Sequence, residues 1–418
     1  MKLAKLVGAM FLATILFSGP AFGGGISLYE FGSPDVGLAA AGWAARAQDA
    51  STVFTNPAGM SRLDKSQFLG GMQALYGKVE FNPDANTTYS GSDGDNAVGW
   101  MPGGSLFVVQ RINPDWSVGF GVLSYFGLGV DYENDWVGRY FIQEGMLIGM
   151  TLTPAVSYRV NNWLSVGMGL NAMYGYLKNK MAIRSPGLGG QLEYEDGEWG
   201  YGWTAGILLE PKSGTRIGIT YLAEVDLDFS DTTDVSGTGD VIKQILTRKL
   251  DLSITVPQMV MFSVYHDLNA KWSVMGNIGW QDWSKFGQIF VEIDDPNSSD
   301  PKNLTINADY NDTWHVSLGA QYRHSSEWTF SGGIAYDSSA VDDSKCTVTV
   351  PMGESWRFAL GAQYAFTPNL TLGGAYEFMW LGDMSVNQER GSSGERKLVG
   401  EFEDAYFHFF ALNLAWKF

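Results

Sequence analysis

Most of the chain after residue 66 alternates between bulky apolar residues and small or polar residues. In the last segment, one register holds Tyr406, His408, Phe410, Leu412, Leu414, Trp416 and Phe418. The other register holds Ala405, Phe407, Phe409, Ala411, Asn413, Ala415 and Lys417. Segment 164–176 repeats the alternation, with Leu, Val, Met and Tyr set mainly against Ser, Gly and Asn. A period of two predicts β-strands whose two faces meet different solvents.

The alternation by itself leaves two all-β architectures open, a soluble β-sandwich and a membrane barrel. The alternating segments run for ~12 to 18 residues, whereas strands of globular proteins usually have ~5 to 6. Their apolar register carries Tyr and Trp near the segment ends, where a lipid interface favours these side chains. Both features favour a transmembrane β-barrel.

Short polar turns and longer acidic connections follow each other along the chain. The short turns are Asn113–Trp116, Asn161–Trp163, Pro211–Gly214, Asn269–Trp272, His324–Trp328 and Thr367–Asn369. The longer connections include 82–99, 131–145, 181–197, 229–249, 291–304 and 387–400. Outer-membrane barrels have this asymmetry, with the tight turns on the periplasmic side. Six turns joining seven up-and-down pairs predict a closed antiparallel barrel of 14 strands.

The N-terminal region differs from the rest. Lys2 and Lys5, an apolar stretch 6–17 and a small-residue end predict a secretory signal peptide over residues 1–23. Residues 24–65 are too few to form an independent core, so we expect them to fill the lumen as a hatch. Within them, the Ala-rich stretch 37–50 predicts a short helix, and Asn56-Pro57-Ala58 predicts a helical turn with Asn as N-cap.

Composition narrows the class of protein. The formal charge of −18 becomes −20 once a leader with two Lys and no acid is removed, which makes a nucleic-acid partner unexpected. The single cysteine, Cys346, cannot form an internal disulfide. The chain holds 15 Trp, 19 Tyr, 24 Phe and 52 Gly, a mixture suited to aromatic girdles and crowded strands.

The sequence gives little indication of an enzyme active site or of a metal site. The four histidines, His266, His315, His324 and His408, are scattered, and the chain has no Gly-x-Ser-x-Gly elbow and no phosphate loop. His408 lies in the lipid-facing register, but no partner Ser suggests a phospholipase. The acidic pieces 226–228 and 292–295 could bind Ca²⁺, although solvated loops are the simpler interpretation. We therefore expect no catalysis, no cofactor and no resident metal.

Short motifs recur in a characteristic order and spacing over nearly all of the mature chain. They are Tyr29-Glu30-Phe31-Gly32, Asn56-Pro57-Ala58, Trp136–Tyr140, Pro154–Arg159, Thr215–Tyr221, Pro257-Gln258, Trp280–Ser284 and Gly333–Asp337. In these motifs the chain resembles the FadL/TodX family of outer-membrane transporters of hydrophobic compounds. The resemblance implies a 14-stranded barrel with an N-terminal hatch. It also implies passive uptake, with cargo landing on an extracellular loop and leaving sideways where the third strand is kinked.

Four groups of residues are candidates for such a pathway. The apolar loop cluster Trp136, Arg139, Tyr140 and Phe141 is expected to be an exposed landing groove, with Arg139 pairing either with a carboxylate head group or with Asp135 or Glu144. The hatch gate comprises Phe31, Phe54, Asn56, Pro57 and Ala58. Gly127 and Gly129 either open the wall to the bilayer or make room for the hatch. Met173, Met275, Met379, Phe407 and Phe409 either line a hydrophobic lumen or pack against the hatch.

The sequence thus predicts passive transport of hydrophobic small molecules, such as long-chain fatty acids, across the outer membrane. Two alternatives stay open: an aromatic-hydrocarbon channel, and a structural or adhesive barrel whose lumen stays shut. The expected partners are cargo, outer-membrane lipid and lipopolysaccharide, and the assembly machinery, which would recognise the terminal Phe418. We expect a monomer.

Overall fold

A computed structural model describes residues 28–185, 188–293, 302–342, 345–349, 351–390 and 396–418. The predicted leader and residues 24–27 lie outside this part of the chain. The strands within it are β1 (Gln67–Lys78), β2 (Phe81–Pro83), β3 (Gly99–Arg111), β4 (Trp116–Asp131), β5 (Glu144–Arg159), β6 (Leu164–Ser185), β7 (Leu188–Lys212), β8 (Thr215–Leu222), β9 (Val225–Thr232), β10 (Asp234–Ser236), β11 (Lys249–Val256), β12 (Met259–Asp267), β13 (Trp272–Gln281), β14 (Gln288–Ile293), β15 (Lys302–Asn307), β16 (Thr313–Arg323), β17 (Trp328–Asp337), β18 (Ser355–Thr367), β19 (Leu370–Arg390) and β20 (Arg396–Lys417). The helices are α1 (Ser33–Val36), α2 (Thr52–Thr55), α3 (Asp240–Leu246), α4 (Trp283–Phe286) and a 3₁₀ helix, Pro57–Arg62.

The main sheet closes on itself as an antiparallel barrel. It has 16 strands, of which β2 and β10 are short additions, so 14 strands form the wall. The first and last wall strands close the barrel through a ladder from Gln67 opposite Lys417 to Lys78 opposite Tyr406. The predicted fold class and strand number are confirmed.

All six predicted tight turns join wall strands at one end of the barrel. Asn113, Asn161, Asn269 and Ser325 each accept backbone N–H groups two and three residues ahead, which closes the turn. At these four turns, a Trp at or just before the start of the following strand points outward: Trp116, Trp163, Trp272 and Trp328. One of these, Trp116, packs on Tyr158 of the neighbouring strand with ring centroids 4.6 Å apart. The turns therefore place an aromatic girdle at this end.

The prediction of a long loop is wrong for two segments, 181–197 and 387–400. Over 181–197, β6 and β7 continue their ladder up to Ser185 opposite Leu188. Over 387–400, β19 and β20 stay paired up to Arg390 opposite Arg396. In these hairpins one face stays apolar and buried, including Leu192 and Leu398, while acidic residues such as Glu195 and Glu401 lie on the exposed face.

At the end opposite the turns, β9, β11, β14 and β15 form a separate four-stranded sheet. One of its faces is apolar and buried, including Leu227, Phe229 and Leu252. On the other face, Asp226 accepts a hydrogen bond from Thr255 at 2.7 Å and Asp228 accepts one from Ser253 at 2.6 Å. These carboxylates are thus paired with hydroxyl groups. Among the described residues, no group of three or more His, Cys, Asp or Glu could hold a metal ion.

Residues 29–63 are almost entirely buried inside the barrel and form the hatch. The helix predicted over 37–50 is wrong: α1 and α2 flank a run of turns, and Ala39, Ala40 and Ala47 have positive φ angles of 48°, 59° and 41°. Wall side chains bind the backbone instead, as Asn277 accepts from Gly42 N–H at 2.7 Å and Ser263 from Ala44 N–H at 3.0 Å. Tertiary contacts thus override the helix propensity of alanine.

The hatch approaches the wall closely where the wall carries glycine. A Cβ atom at Gly333 of β17 would lie 1.9 Å from the carbonyl oxygen of Leu38, and one at Gly218 of β8 would lie 2.0 Å from that of Ala44. Glycine at these positions therefore admits the hatch backbone. None of the helices in the described residues is long and apolar enough to cross a membrane.

Candidate functional site

Asn56, Pro57 and Ala58 join the hatch to the wall. Asn56 accepts the N–H of Ala58 at 3.1 Å, which caps the 3₁₀ helix as predicted. Its Nδ2 donates to the carbonyl oxygens of Ala44 at 2.7 Å and Ile207 at 3.0 Å. One side chain thus connects two hatch segments with β7.

An aromatic cluster continues from the hatch to the wall. Phe31 meets Phe54 edge-on with centroids 5.1 Å apart, and Trp43 lies 6.2 Å from both. Phe54 in turn packs against Tyr125 of β4 at 4.9 Å. These rings are buried. The two predicted gate aromatics therefore contact each other, and Phe54 also contacts the third wall strand.

The ladder between β3 and β4 is interrupted. It runs from Arg111 opposite Ser117 only as far as Ser105 opposite Leu123. Beyond that point, Gly99–Gly104 pairs only with β1, and Ser124–Asp131 pairs only with β5. The gap ends where Asp131 N–H donates to the carbonyl oxygen of Ala97 at 2.7 Å. We call the space between Gly99–Gly104 and Ser124–Val130 the window.

A β-bulge marks the lower edge of the window. The register of β4 against β5 shifts between Ser124 and Phe126, so that Tyr125 is the extra residue. Gly127 follows with φ +154°, and a Cβ there would lie 3.0 Å from Ile148 Cα. Gly129 has no positive φ and has room for a Cβ, 3.6 Å from Met146. The distortion is thus centred on Tyr125 and Gly127, whereas Gly129 does not require glycine.

The start of the hatch lies behind the window. Leu28 N–H donates to the carbonyl oxygen of Tyr125 at 2.8 Å. On the opposite side, Gln73 of β1 donates to the carbonyl oxygen of Glu30, and Ser105 of β3 donates to that of Phe31. Hatch residues 28–31 are therefore hydrogen-bonded to both sides of the gap.

A buried ionic cluster on β16–β19 holds the same hatch segment. Arg357 of β18 pairs with hatch Glu30, with Asp337 at 2.7 Å and with Glu377 at 3.3 Å. His315 Nδ1 lies 2.7 Å from Asp337, and the ring of Tyr29 lies 4.3 Å from that of His315. All of these side chains are almost fully buried. The sequence motifs do not single out this cluster, although charged residues in the inward register of apolar strands are a usable signal.

Comparison with known proteins adds a family to this geometry. Residues 14–418 match the family model described as outer membrane protein transport protein (OMPP1/FadL/TodX). The chain belongs to this family. It is 28% identical to the long-chain fatty acid transport protein of Escherichia coli O6:H1 (strain CFT073) over 370 residues, which cover 80% of this chain and 81% of the relative.

Solved structures of FadL/TodX proteins share the fold. A FadL homologue from Pseudomonas aeruginosa matches with a TM-score of 0.83 and 18% identity, over 93% of this chain and 98% of that one. The toluene transporter TbuX from Ralstonia pickettii matches with a TM-score of 0.69 and 19% identity, over 94% and 99%. The resemblance seen in the sequence is confirmed, and the protein is a β-barrel of the outer membrane. These relatives are transporters by name rather than enzymes.

In this FadL/TodX protein, the loop cluster is less exposed than its composition suggested. Trp136 is fully buried, stacks on Tyr132 at 3.9 Å and donates to the carbonyl oxygen of Ile142 at 2.6 Å. Phe141 is buried as well. The expectation of an exposed apolar cluster is therefore wrong for these two residues, because they form the core of the loop.

Arg139 remains half-buried at the surface of this loop. Its guanidinium lies 4.7 Å from the ring of Tyr140 and donates to the carbonyl oxygens of Ser90 and Trp136, both at 2.8 Å. It contacts the carbonyl oxygen rather than the carboxylate of Asp135, and Glu144 pairs with Lys178 instead. Within the described residues Arg139 forms no ion pair, so the predicted pairing with Asp135 or Glu144 is wrong.

The five predicted lumen residues all point into the barrel and are buried. Met275 lies beneath the hatch, 3.0 Å from where a Cβ of Gly42 would be. Met173 covers Gly149 of β5, and Phe407 covers Gly77 of β1. Met275 therefore packs against the hatch. The positions of the other four residues are compatible both with packing and with lining a hydrophobic lumen.

Proposed function

We propose that this protein is a passive channel that takes hydrophobic small molecules from outside the cell and releases them sideways into the outer membrane through the window. The observation that carries the proposal is the interruption of the β3–β4 ladder over Gly99–Gly104 and Ser124–Val130. In a closed barrel every wall strand is expected to pair on both sides, because unpaired backbone groups are costly in lipid. A gap beside the bulge and Gly127 gives apolar cargo a route that avoids the polar surface layer.

The cargo class follows from the lining and from the relatives. Buried methionines and aromatic rings along the interior favour apolar cargo over sugars. The Escherichia coli relative is named a transporter of long-chain fatty acids and the Ralstonia neighbour a transporter of toluene. We place long-chain fatty acids first, because Arg139 offers a guanidinium at the outer loop for which the described residues provide no carboxylate partner. Aromatic hydrocarbons are the second candidate.

The hatch, which we assign to residues 24–65, acts as the gate in this proposal. Residues 28–31 close the window from inside through hydrogen bonds to Tyr125, Gln73 and Ser105. Phe31 and Phe54 fill the space behind them, and Asn56 fixes the lower part of the hatch. Cargo that enters past the loop of Trp136, Arg139 and Tyr140 has to displace residues 28–31 to reach the window.

The test is uptake by cells that lack their own hydrophobic channel, with radiolabelled oleate, toluene and a small sugar as probes. Gly103 faces inward at the window edge. A Cβ atom there would meet only the Gln73 side chain, at 3.2 to 3.4 Å. We therefore expect the indole ring of Gly103→Trp to fill the window. Gly374→Trp is the matched control, because Gly374 lies outward in a fully paired part of the wall with 3.5 Å to its nearest side chain. We expect oleate or toluene uptake without sugar uptake, reduced only by Gly103→Trp.

Other outcomes would contradict parts of the proposal. Sugar flux alone would indicate a polar porin. No flux of any probe would favour the structural or adhesive barrel. Hydrophobic uptake that Gly103→Trp leaves unchanged would exclude lateral release while leaving the cargo class intact.

A further inference from the structure

A row of outward-facing side chains begins at the window edge and crosses the strands that close the barrel. The row consists of one residue from each of four neighbouring strands, each directly opposite the next. In order they are Trp100 of β3, Tyr76 of β1, His408 of β20 and Phe378 of β19. Trp100 is 65% exposed and lies in the part of β3 that has no β4 partner. The rings of Trp100 and Tyr76 are 5.1 Å apart, and those of Phe378 and His408 are 5.4 Å apart. A molecule leaving through the window would meet this row first.

His408 is an unusual member of a lipid-facing surface. It lies eight residues before Trp416 of the turn-end girdle, which corresponds to roughly 20 Å along the membrane normal for a tilted strand. The next outward residue, Tyr406, lies opposite Trp380, which lies opposite Trp356 in a second aromatic row. His408 is therefore inside the apolar band, just below its outer edge. An ionisable side chain at this depth is costly and marks a candidate functional site.

The hydrogen bonding of His408 leaves one ring nitrogen available. Tyr376 Oη lies 2.8 Å from His408 Nδ1. When the tyrosine hydroxyl donates to Nδ1 of the neutral imidazole, the imidazole proton is on Nε2. No partner for Nε2 is found among the residues that the structure describes. The pair thus presents an N–H donor to the lipid side, surrounded by the rings of Tyr406 at 5.0 Å and Tyr376 at 5.8 Å.

We propose that His408 and Tyr376, together with Trp100 and Tyr76, form a receiving site on the lipid face that binds the carboxyl group of an amphiphilic cargo molecule as it leaves the window. The inference rests on lateral release, the function proposed above. The donor binds the carboxyl group, and the aromatic row from Trp100 to Phe378 provides an apolar surface for the chain. A hydrocarbon without a carboxyl group gains nothing from the His–Tyr pair. The site therefore favours release of fatty acids over that of toluene.

The experiment compares oleate, methyl oleate and toluene uptake in His408→Leu and Tyr376→Phe variants, with His408→Gln as the conservative variant that keeps a donor. We expect His408→Leu to lower oleate uptake roughly two- to tenfold, the size expected for the loss of one hydrogen bond, to lower methyl oleate uptake less because its ester carbonyl is a weaker acceptor than a carboxylate, and to leave toluene uptake unchanged. Tyr376→Phe is expected to give a smaller oleate-specific loss, and His408→Gln to restore part of the uptake. Tyr201→Phe is the matched control, because Tyr201 of β7 is an outward, 73% exposed tyrosine away from the window.

Each result separates this inference from the underlying proposal. If the unaltered protein takes up no hydrophobic probe, the proposed function fails, and the receiving site fails with it. A second case is that the unaltered protein takes up the hydrophobic probes and Gly103→Trp blocks this uptake. If His408→Leu then lowers the uptake of all three probes equally, or of none of them, only the receiving site is overturned. Equal losses would mean that His408 and its aromatic neighbours anchor the barrel in the membrane. A change in the ratio of oleate to methyl oleate, absent in Tyr201→Phe, supports the site.

Discussion

The N–H group of Leu28, near the start of the hatch, donates to the carbonyl oxygen of Tyr125, the bulged residue of β4, at 2.8 Å. The ring of Tyr125 also packs on Phe54, which belongs to the second short helix of the hatch. One wall residue therefore contacts two separate parts of the hatch. A displacement of residues 28–31 has to change the bulge, the aromatic cluster or both, which couples the hatch to the window.

We expect Glu30→Gln to loosen the start of the hatch while leaving the barrel folded. Arg357 keeps Asp337 and Glu377 as partners, whereas the hatch loses its ionic contact with β18. Loss of such a buried, charged hydrogen bond costs about 1–3 kcal/mol. Limited proteolysis should therefore cleave the hatch several-fold faster.

Glu210→Gln is the control for this change, because Glu210 pairs with hatch residue Arg62 at 3.2 Å in a partly exposed setting. Such pairs contribute about 0–1 kcal/mol, so cleavage should change little. Equal cleavage rates in Glu30→Gln and the unaltered protein would show that the ionic cluster does not hold the hatch.

Two adjacent glycines of β17 give a sharp test of the hatch seat. At Gly333 a Cβ would lie 1.9 Å from the carbonyl oxygen of Leu38, while at Gly332 the nearest atoms are 3.5 Å away. We expect Gly333→Ala to displace the hatch at a cost of about 1–3 kcal/mol, the range for overpacking, and to admit small sugars into liposomes that contain the protein. Gly332→Ala should leave the liposomes closed. Leakage in both variants, or in neither, would contradict the proposed close seat.

The two glycines beside the window should respond differently to alanine. Gly127 has φ +154°, and its Cβ would meet Ile148 Cα at 3.0 Å, so Gly127→Ala forces the strained segment to move. Strain of this kind costs about 1–3 kcal/mol. We expect reduced oleate or toluene uptake in Gly127→Ala and normal uptake in Gly129→Ala. Similar uptake in the two variants would remove Gly127 from the window mechanism.

The strands and turns could be predicted because each depends on local rules. Alternation reports which side of a strand meets lipid, and residues such as Asn113 and Asn269 close turns through their own side chains. The same alternation did not reveal where the ladders end. Charge alone predicts a loop over 181–197, yet β6 and β7 stay paired up to Ser185 opposite Leu188.

The features of the candidate site that were missed depend on residues far apart in sequence. The bulged residue of β4 is Tyr125 rather than a glycine, so the glycine pattern predicts the position of the distortion only approximately. Alanine propensity predicted a helix over 37–50, but Asn277 and Ser263 of the wall bind that backbone in another conformation. Arg357 meets hatch Glu30 across more than three hundred residues. The inward register marks Arg357 as unusual, but no local signal identifies its partner on the hatch.

A buried ion pair within the hatch predicts how hatch stability depends on pH. Asp35 lies 2.8 Å from Arg46, while its second carboxylate oxygen, Oδ2, has no hydrogen-bond partner among the described residues. Burial raises the pKa of Asp35 from its usual value near 3.8 to about 6, although Arg46 opposes the shift. The folded state therefore holds this proton more tightly than the unfolded state does. The resulting stabilisation is fully present below pH ~4 and is lost as pH rises through ~6.

We expect this contribution to amount to about 3 kcal/mol between pH ~4 and ~6. The measurement is the urea midpoint for release of the hatch, followed by proteolysis at half-unit pH steps from pH 4 to pH 8. Other carboxylates titrate in the same range, so the informative quantity is the difference between the unaltered protein and Asp35→Asn, which cannot ionise. The unaltered protein should lose stability relative to Asp35→Asn as pH rises from ~4 to ~6. Above pH ~6 the difference in stability between the two proteins should become constant. A difference that does not vary with pH would mean that Arg46 holds Asp35 ionised throughout, and the pair would then stabilise the hatch at neutral pH.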